Sequence, residues 1–307
     1  MLKVGVIGIG SIALKAYLPI YSEIDDVDFY FCTRNQDTIN RIRAKYRWAH
    51  LYSSLDDLLN ETHETLQAAF VHSATASHVP IIERLIKNGI AVYVDKPIAD
   101  HYDQAEKLTN LAENLKVPLM TGFNRRFAPF YQTAKSISNK TMVICQKNRS
   151  NAPGDLRTIV FDDYIHVVDS LRFLVGKPLD IQSVHVVKDQ MNRVVALSTV
   201  FRSGSILATG IMNRVSGTNQ EVTQVMAEEG ECIVRNLSEL KKLQGTSSCC
   251  QQFNDWDRTL YKRGFEGIVH KFLSAVKENK DLPIAKRDAL ETHRLCEWIV
   301  EKGEVDE

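Results

Sequence analysis

A lysine followed by a proline, Lys96-Pro97, comes directly after the short apolar run Ala91–Asp95. That run predicts a buried strand, which would place Lys96 at the carboxyl end of a parallel sheet, where open α/β folds bind ligands. Proline fixes its own backbone and disfavours helical geometry at the residue before it. An amine held there is suited to accept a hydroxyl proton. The alternative is a solvated surface lysine, which is the common state of this residue type.

A second group suited to proton transfer is formed by Asp162 and His166, which are four residues apart. If the predicted helix Tyr164–Leu174 extends back by one turn, both side chains share one of its faces. An imidazole oriented by a carboxylate can relay a proton. The alternative is a helix N-cap made by Asp162 or Asp163, together with a partly buried histidine.

Other polar residues could contact a substrate or stabilise the fold. Tyr164 either faces the substrate or packs, and the sequence does not decide between the two. Asn124 and Arg125 could bind substrate hydroxyls, a carboxylate or a phosphate, since arginine suits planar anions. Equally, Arg125 or Arg126 could tie two domains together. Asp169 is expected to stabilise the fold.

The chain begins with an apolar strand pattern, a glycine turn and a helical run over Ile12–Ile24. Gly8 permits the tight turn, Gly10 lets the backbone approach a pyrophosphate, and Ala13 lets the helix pack closely on the strand. The free N–H groups at the start of the helix would bind the anion. The predicted dinucleotide contacts in this turn are Gly8, Gly10, Ser11, Ile12 and Ala13.

The residues at the end of the second predicted strand, Asp28–Cys32, determine which dinucleotide is preferred. An acidic residue there would bind the ribose hydroxyls of NAD, and a basic one would accommodate the 2′-phosphate of NADP. The chain has Thr33 and Arg34 at this point, and Asp28 comes too early. Thr33 can hydrogen-bond a phosphate, and Arg34 can pair with it or stack on adenine. The pattern favours NADP, unless Arg34 is simply an exposed residue beginning a helix.

Strand and helix patterns alternate along the first part of the chain, and strands then follow one another without helices. The first pattern predicts an α/β, doubly wound parallel sheet of Rossmann type, and the second an α+β domain with an open, mostly antiparallel or mixed sheet. We expect a cofactor domain over residues 1–121 and a substrate and oligomerisation domain over 122–307. The predicted strands are Lys3–Ile7, Asp28–Cys32, Ala49–Tyr52, Ala68–His72, Ala91–Asp95, Pro118–Thr121, Ile181–Val187, Val194–Phe201, Ser205–Met212, Thr223–Ala227 and Glu231–Arg235. The predicted helices after the first are Ile39–Tyr46, Ser54–Leu59, His78–Lys87, Tyr102–Leu115, Tyr164–Leu174, Phe265–Glu278 and Lys286–Val300.

Composition narrows the class of protein. The 307 residues include 38 Lys plus Arg and 38 Asp plus Glu, so net charge does not indicate a nucleic-acid or membrane partner. No apolar run reaches the roughly 18 residues of a spanning helix, and the glycine-broken N-terminus is unlike a signal peptide. Adjacent Cys249 and Cys250 could bind metal, but the cysteine spacing favours reduced thiols and no metal site. We expect a cytoplasmic protein.

Several motifs occur in order along the chain: Gly8-Ile9-Gly10-Ser11-Ile12-Ala13, Ser73-Ala74-Thr75-Ala76-Ser77-His78, Asp95-Lys96-Pro97, Gly122-Phe123-Asn124-Arg125-Arg126-Phe127-Ala128-Pro129 and Asp162-Asp163-Tyr164-Ile165-His166-Val167-Val168-Asp169. With this set the chain resembles the glucose–fructose oxidoreductase/inositol dehydrogenase (Gfo/Idh/MocA) family of NAD(P)-dependent enzymes, and within it the MviM-like branch. The resemblance covers nearly the whole chain. It implies a Rossmann domain, a mixed-sheet domain, and hydride transfer at the cleft between them.

The resemblance also implies roles for single residues. His166 matches the family's catalytic histidine, and His78 matches a position near the cofactor, whereas His72 is interpreted as a satisfied core residue. Asp95 stands where the family usually has Glu, which shortens the reach of the carboxylate. Ser73-Ala74-Thr75 replaces the usual Thr-Pro-Asn, with Thr75 keeping a hydroxyl at the Asn position. The cofactor contacts implied beyond the glycine turn and Thr33-Arg34 are Ser73, Ala74, Thr75, His78, Asp95 and Lys96.

The expected activity is hydride transfer between NAD(P) and a sugar, polyol or related hydroxyl or carbonyl compound. Lys96 and His166 would handle the hydroxyl proton, and Asp162 would orient His166. A homodimer or homotetramer is expected to form through the second sheet, because a bare apolar sheet face is rarely left exposed. The alternatives are a cofactor-sensing regulator without turnover, and lyase or hydrolase chemistry through transient oxidation of the substrate.

Overall fold

The computed structural model describes residues 1–62 and 65–305, and the chain divides into two compact units. The first unit comprises Met1–Gly122 and Ile268–Leu290, and the second comprises Phe123–Gly267 and Glu291–Glu307. The sequence predicted a change of domain between residues 121 and 122. It also assigned the whole later part of the chain to the second domain, whereas the structure places Ile268–Leu290 in the first unit.

The first unit is built on a six-stranded parallel sheet with the order β3-β2-β1-β4-β5-β6. Its strands are β1 Leu2–Ile7, β2 Val27–Cys32, β3 Leu51–Tyr52, β4 Ala68–Val71, β5 Ala91–Val94 and β6 Leu119–Thr121. Every residue of β4 and β5 is buried, as in a sheet covered on both faces. The helices are α1 Leu18–Tyr21, α2 Gln36–Tyr46, α3 Leu55–Thr62, α4 His78–Lys87 and α5 Tyr102–Asn114. The predicted doubly wound Rossmann fold is confirmed, and its strand order places the start of the chain at the centre of the sheet.

The segment Ile268–Leu290 belongs to the first unit because it packs on this sheet. The ring of Phe272 contacts Phe70 of β4 and Tyr93 of β5 edge-on, with centroids 5.1 and 5.5 Å apart. An amphipathic helix shows the same apolar stripe whichever sheet it covers. The sequence therefore carries no local signal that the chain returns to the first unit.

The second unit is built on an eight-stranded sheet with the order β14-β13-β12-β11-β7-β10-β9-β8. Neighbouring strands are antiparallel except β7 and β10, which are parallel. The strands are β7 Lys140–Asn148, β8 Asp180–Lys188, β9 Val194–Ser203, β10 Ile206–Asn213, β11 Gln220–Ala227, β12 Gly230–Arg235, β13 Glu239–Gln244 and β14 Ser247–Gln252. The predicted mixed, mostly antiparallel sheet is confirmed.

Three strands of this sheet were not predicted from the sequence. Strand β7 is central, but polar residues crowd both of its ends and leave only a short apolar run. Strands β13 and β14 lie at the edge, and every residue of β14 is exposed. A strand that buries no side chain shows no alternation of apolar and polar residues.

Helices cover one face of the second sheet. In β7, Val143 and Cys145 are buried, whereas Met142 and Ile144 point to the opposite face and are half-buried. The remaining α-helices of the described chain are α6 Pro129–Lys135, α7 Leu156–Ile159, α8 Ile165–Val175, α9 Thr259–Lys262, α10 Phe265–Lys277 and α11 Lys286–Val305, of which most of α10 and the start of α11 belong to the first unit. Helix α8 contacts β7 and β10. Of the helices in the described ranges, none has the length and apolar character to cross a membrane.

Candidate active site

The turn after β1 contains two glycines in very different surroundings. Gly8 has a backbone φ of +86°, in the left-handed region that favours glycine. A Cβ added there would lie 2.5 Å from the backbone nitrogen of Ser73, so the turn packs directly on the loop after β4. A Cβ added to Gly10 would meet no atom within 4 Å. Gly8 therefore serves the fold, and Gly10 leaves open space for a ligand.

The helical segment after the turn presents its first residues to solvent. Ser11 and Ile12 are exposed, and Ala13 is fully buried. The segment is π-helical over Ala13–Tyr17, a form that is frequent at functional sites. An anion placed beside Gly10 would meet the positive end of this helical segment.

Loops that follow β1, β2, β3 and β4 enclose a cavity of about 550 Å³ in the first unit. They leave the carboxyl ends of parallel strands, where open α/β folds bind ligands. Six residues predicted to bind a cofactor line this cavity together: Gly8, Gly10, Thr33, Arg34, Ser73 and Ala74. The other predicted cofactor residues do not line it: Ser11, Ile12, Ala13, Thr75, His78, Asp95 and Lys96. The open glycine turn, together with the polar side chains among the mostly apolar lining, fits a dinucleotide.

The cavity wall after β2 bears on the choice of dinucleotide. Thr33 and the exposed Arg34 line it, and none of the described residues that line the cavity is acidic. Asp28, at the start of β2, accepts a hydrogen bond from the Tyr30 hydroxyl at 2.9 Å and does not line the cavity. The side chain of Asn35 caps helix α2. The side chains that face this end of the cavity are neutral or basic.

His72 lines the same cavity, and its interpretation as a satisfied core residue is wrong for one of its two nitrogens. Its Nε2 lies 2.8 Å from the Tyr21 hydroxyl, and its ring stacks on Tyr17 with centroids 3.9 Å apart. Nδ1 has no hydrogen-bond partner in the described part of the chain. Burial lowers the pKa of His72 to about 3, so the ring is neutral and carries one N–H. An unsatisfied buried polar atom costs about 1–3 kcal/mol, which a ligand atom could offset.

Lys96 follows β5, is half-buried, and is joined to Pro97 by a cis peptide bond. Its amide donates a hydrogen bond to the Asp95 carboxylate at 2.9 Å. His78 connects this loop to the loop after β4, because its Nδ1 and Nε2 lie 2.8 and 2.9 Å from the carbonyl oxygens of Pro97 and Ser73. Burial lowers the pKa of His78, and a neutral ring donates to only one of these oxygens at a time. His78 thus holds the two loops together through their backbones.

Asp162 and His166 lie around the start of α8 in the second unit. Helical structure extends back from α8 through a π-helical turn, Val160–Tyr164, as the pairing of these side chains requires. Asp162 is exposed and His166 is half-buried. Tyr164 is fully buried, and its hydroxyl lies 2.6 Å from that of Thr199 on β9. The Tyr164 hydroxyl is therefore engaged by the sheet.

The three polar residues that open the second unit are buried and paired. The Asn124 side chain donates to a backbone carbonyl at 2.8 Å. Arg125 donates two hydrogen bonds to the Glu221 carboxylate, at 2.5 and 2.9 Å. Arg126 pairs with Asp169 at 2.7 Å. Each arginine is thus held by a carboxylate of the second unit itself.

Two family descriptions match successive parts of the chain. Residues 2–123 match an oxidoreductase family with an NAD-binding Rossmann fold, and residues 129–245 match a YceM-like C-terminal domain. The first range carries the glycine turn and the cavity. The second carries Asp162, His166 and most of the second sheet.

Individual relatives match over nearly the full length. The protein YceM of Salmonella typhimurium is 30% identical over 302 residues, which cover 97% of each chain. The crystal structure of the dehydrogenase MviM from Clostridium difficile has a TM-score of 0.92 and 30% identity, covering 98% of this chain and 99% of that one. An inositol 2-dehydrogenase of Rhizobium meliloti is 23% identical over 76% of this chain and 78% of its own.

Proposed function

Because the chain belongs to the Gfo/Idh/MocA family of oxidoreductases, we propose that it transfers a hydride between NAD(P) and a sugar, polyol or related hydroxyl or carbonyl compound. The observation that carries this proposal is the cavity beside Gly10, which opens at the carboxyl ends of four parallel strands. A relative at 23% identity is named an inositol 2-dehydrogenase, which supports a hydroxyl compound as the substrate class. A bound nicotinamide would supply the hydride acceptor or donor.

The chain's own residues supply the proton route in this proposal. Lys96 and His166 exchange the hydroxyl proton of the substrate, and Asp162 orients the imidazole. His78 positions Lys96, because it bonds to the carbonyl oxygen of the next residue, Pro97. Positioned groups of this kind contribute about 10²- to 10⁴-fold to a rate.

NADP is the proposed dinucleotide. A 2′-phosphate carries negative charge, and Arg34 at the end of β2 can donate charge-assisted hydrogen bonds to it. Thr33 offers a further hydroxyl donor. The absence of a carboxylate from the described lining of the cavity removes the group that would bind ribose hydroxyls in an NAD enzyme.

A homodimer or homotetramer through the second sheet remains part of the proposal. The face of that sheet opposite α8 carries half-buried apolar residues, including Ile144 of β7, Ile211 of β10 and Val222 of β11. Such a face gains stability when another subunit covers it. Light scattering coupled to size-exclusion chromatography should give a mass of two or four chains, and a single-chain mass would contradict this part.

Turnover of two variants tests the proton route. Lys96→Ala and His166→Ala should each reduce kcat at least about a hundredfold, followed as NAD(P)H absorbance, while the Kd for the cofactor stays near that of the wild type. Lys280→Ala, which removes a 72% exposed lysine, is the control and should be fully active. Wild-type turnover in both site variants would show that the proton leaves by another route.

A further inference from the structure

A group of charged side chains, here called the basic cluster, lies at one end of the second sheet. Lys147 is near the end of β7, and Arg149 and Arg214 follow β7 and β10 directly. Lys147 is paired in register with Glu221 of β11. The basic cluster consists of Arg125, Lys147, Arg149, Arg214 and Arg263, with the carboxylates Asp163 and Glu221. All of these residues belong to the second unit.

One carboxylate, Asp163, serves three of the basic side chains. The Lys147 amine lies 2.5 Å from Oδ1, Arg149 donates two hydrogen bonds at 2.7 and 2.9 Å, and Arg214 donates one at 2.6 Å. Burial disfavours the ionised form of Asp163, but Arg149 and Lys147 outweigh it and hold the pKa well below its usual range. Asp163 is therefore ionised, and its single negative charge is shared among three cations.

Arg263 has no carboxylate of its own. Its guanidinium makes neither a hydrogen bond nor an ion pair with any residue of the described ranges 1–62 and 65–305. Burial and then the positive charge of Arg125 lower the pKa of Arg263. Glu221, which attracts it, is already held by the two hydrogen bonds from Arg125. Arg263 is thus a cation beside another cation, with its donors unused.

The basic cluster therefore has an excess of positive charge. Five basic side chains accompany two carboxylates, and buried charge without a counter-charge is costly. Burial and the charge of Arg125 lower the pKa of Lys147 to about 7, so an arriving anion would favour its protonated form. Arg149 is the accessible member, because 40% of its side chain is exposed. These features suit a site completed by an external anion.

We propose that the basic cluster binds an anionic substituent of the substrate, a carboxylate or a phosphate. This inference rests on the proposed function, because it assumes that chemistry occurs at His166. Asp163 precedes His166 by three residues, which span about 4.5 Å along a helix. An anion on the cluster would therefore lie a few bonds from a carbon beside His166. The substrate is then a hydroxy or keto compound with an acidic group, such as an aldonic acid or a sugar phosphate.

Anion binding can be measured without turnover. We would titrate inorganic phosphate and gluconate into the full-length protein by calorimetry, comparing the wild type, Arg263→Gln and Arg149→Gln. Arg263→Gln should weaken binding about ten- to hundredfold, the loss expected for a charge-assisted hydrogen bond. Replacing Arg263 removes no native ion pair, so this variant keeps the test valid even if Arg149→Gln fails to fold. Arg235→Gln, on β12 and 53% exposed, is the control and should bind like the wild type.

Binding that is absent, or equal in Arg263→Gln and the wild type, would overturn the inference. In turnover, gluconate and glucose 6-phosphate should have higher kcat/KM than inositol and glucose, and Arg263→Gln should raise KM for the acidic compounds only. Inorganic phosphate should inhibit competitively against them, whereas activation by phosphate would identify an effector site instead and contradict the inference. Preference for neutral substrates would refute the inference and leave the proposed function standing. Anion binding that depends on Arg263, without turnover of any compound, would refute the proposed function and the substrate role of the cluster, and would leave only its anion binding confirmed.

Discussion

Two alanine substitutions in the first turn should separate the fold from cofactor binding. At Gly10 an added methyl group meets no atom within 4 Å, so the free energy of unfolding should stay the same or rise by up to about 1 kcal/mol. At Gly8 the φ of +86° costs a non-glycine residue about 1–2 kcal/mol. The methyl group would also lie 2.5 Å from the Ser73 backbone nitrogen, which cannot rotate away as a side chain can. Gly8→Ala should therefore lower the free energy of unfolding by at least about 2 kcal/mol.

Gly10→Ala, which should leave the stability intact, should weaken the binding of the dinucleotide. The methyl group of Gly10→Ala would occupy the space that a pyrophosphate needs beside the start of the helix. Loss of one hydrogen bond to a charged group costs about 1.5–3 kcal/mol, which raises the Kd for NADPH about 10- to 150-fold. Gly10→Ala should thus be a stable protein that binds the dinucleotide poorly.

Urea unfolding and NADPH fluorescence titration on the same preparations would check both parts. Gly217→Ala is the matched control, because its added methyl group also meets no atom within 4 Å and lies in the second unit. It should match the wild type in both measurements. A Gly10→Ala protein that binds NADPH with wild-type affinity would show that the pyrophosphate does not lie beside Gly10. A Gly10→Ala protein that unfolds at as low a urea concentration as Gly8→Ala would show that the space around Gly10 is not open.

Three further outcomes are expected. Arg34→Ala should raise the Kd for NADPH about tenfold or more and leave that for NADH nearly unchanged, as measured by fluorescence; an equal loss for both would contradict NADP preference. Asp169→Asn should lower the free energy of unfolding by about 3–5 kcal/mol in urea, because it leaves Arg126 buried and charged, and an unchanged midpoint would show that the pair is not structural. The pKa of His72 is about 3 in the fold and about 6.5 in the unfolded chain. The stabilising effect of the neutral His72 ring is therefore complete above about pH 6.5. It is lost as the pH falls, by about 1.4 kcal/mol per pH unit down to about pH 3. His72→Phe should flatten that pH dependence of unfolding, and His185→Gln, which removes an exposed histidine, should not.

The first sheet could be predicted because each of its strands appears in the sequence as a local apolar run. Strands β4 and β5 are buried on both faces and are written as continuous apolar runs. The carboxyl ends of parallel strands meet at one edge, so the glycine turn, Thr33-Arg34 and Ser73 were expected together and share one cavity. The edge strand Ser247–Gln252 buries no side chain, so its sequence shows no alternation of apolar and polar residues.

The clustering of basic side chains in the second unit could not be predicted from local sequence patterns. Lys147 and Arg149 are far in the sequence from Arg214 and from Arg263, and each of these residues alone is typical of a solvated cation. The neighbouring positions of β7, β10 and β11 in the second sheet bring Lys147, Arg149 and Arg214 to one end of it. Arg125 was singled out from its motif, but its pairing with Glu221 depends on that same order. Long-range pairing of this kind has no signature in local spacing.

Transfer of deuterium from NADPH labelled at nicotinamide C4 tests the proposed reaction most directly. The labelled cofactor would be incubated with the oxidised forms of neutral sugars, sugar acids and sugar phosphates, and the products examined by NMR. The proposal predicts deuterium on the carbinol carbon of a product of the wild type, and formation of this product at least about a hundredfold more slowly by Lys96→Ala or His166→Ala. A wild-type protein that binds labelled NADPH tightly but leaves its deuterium in place with every compound would contradict the proposal.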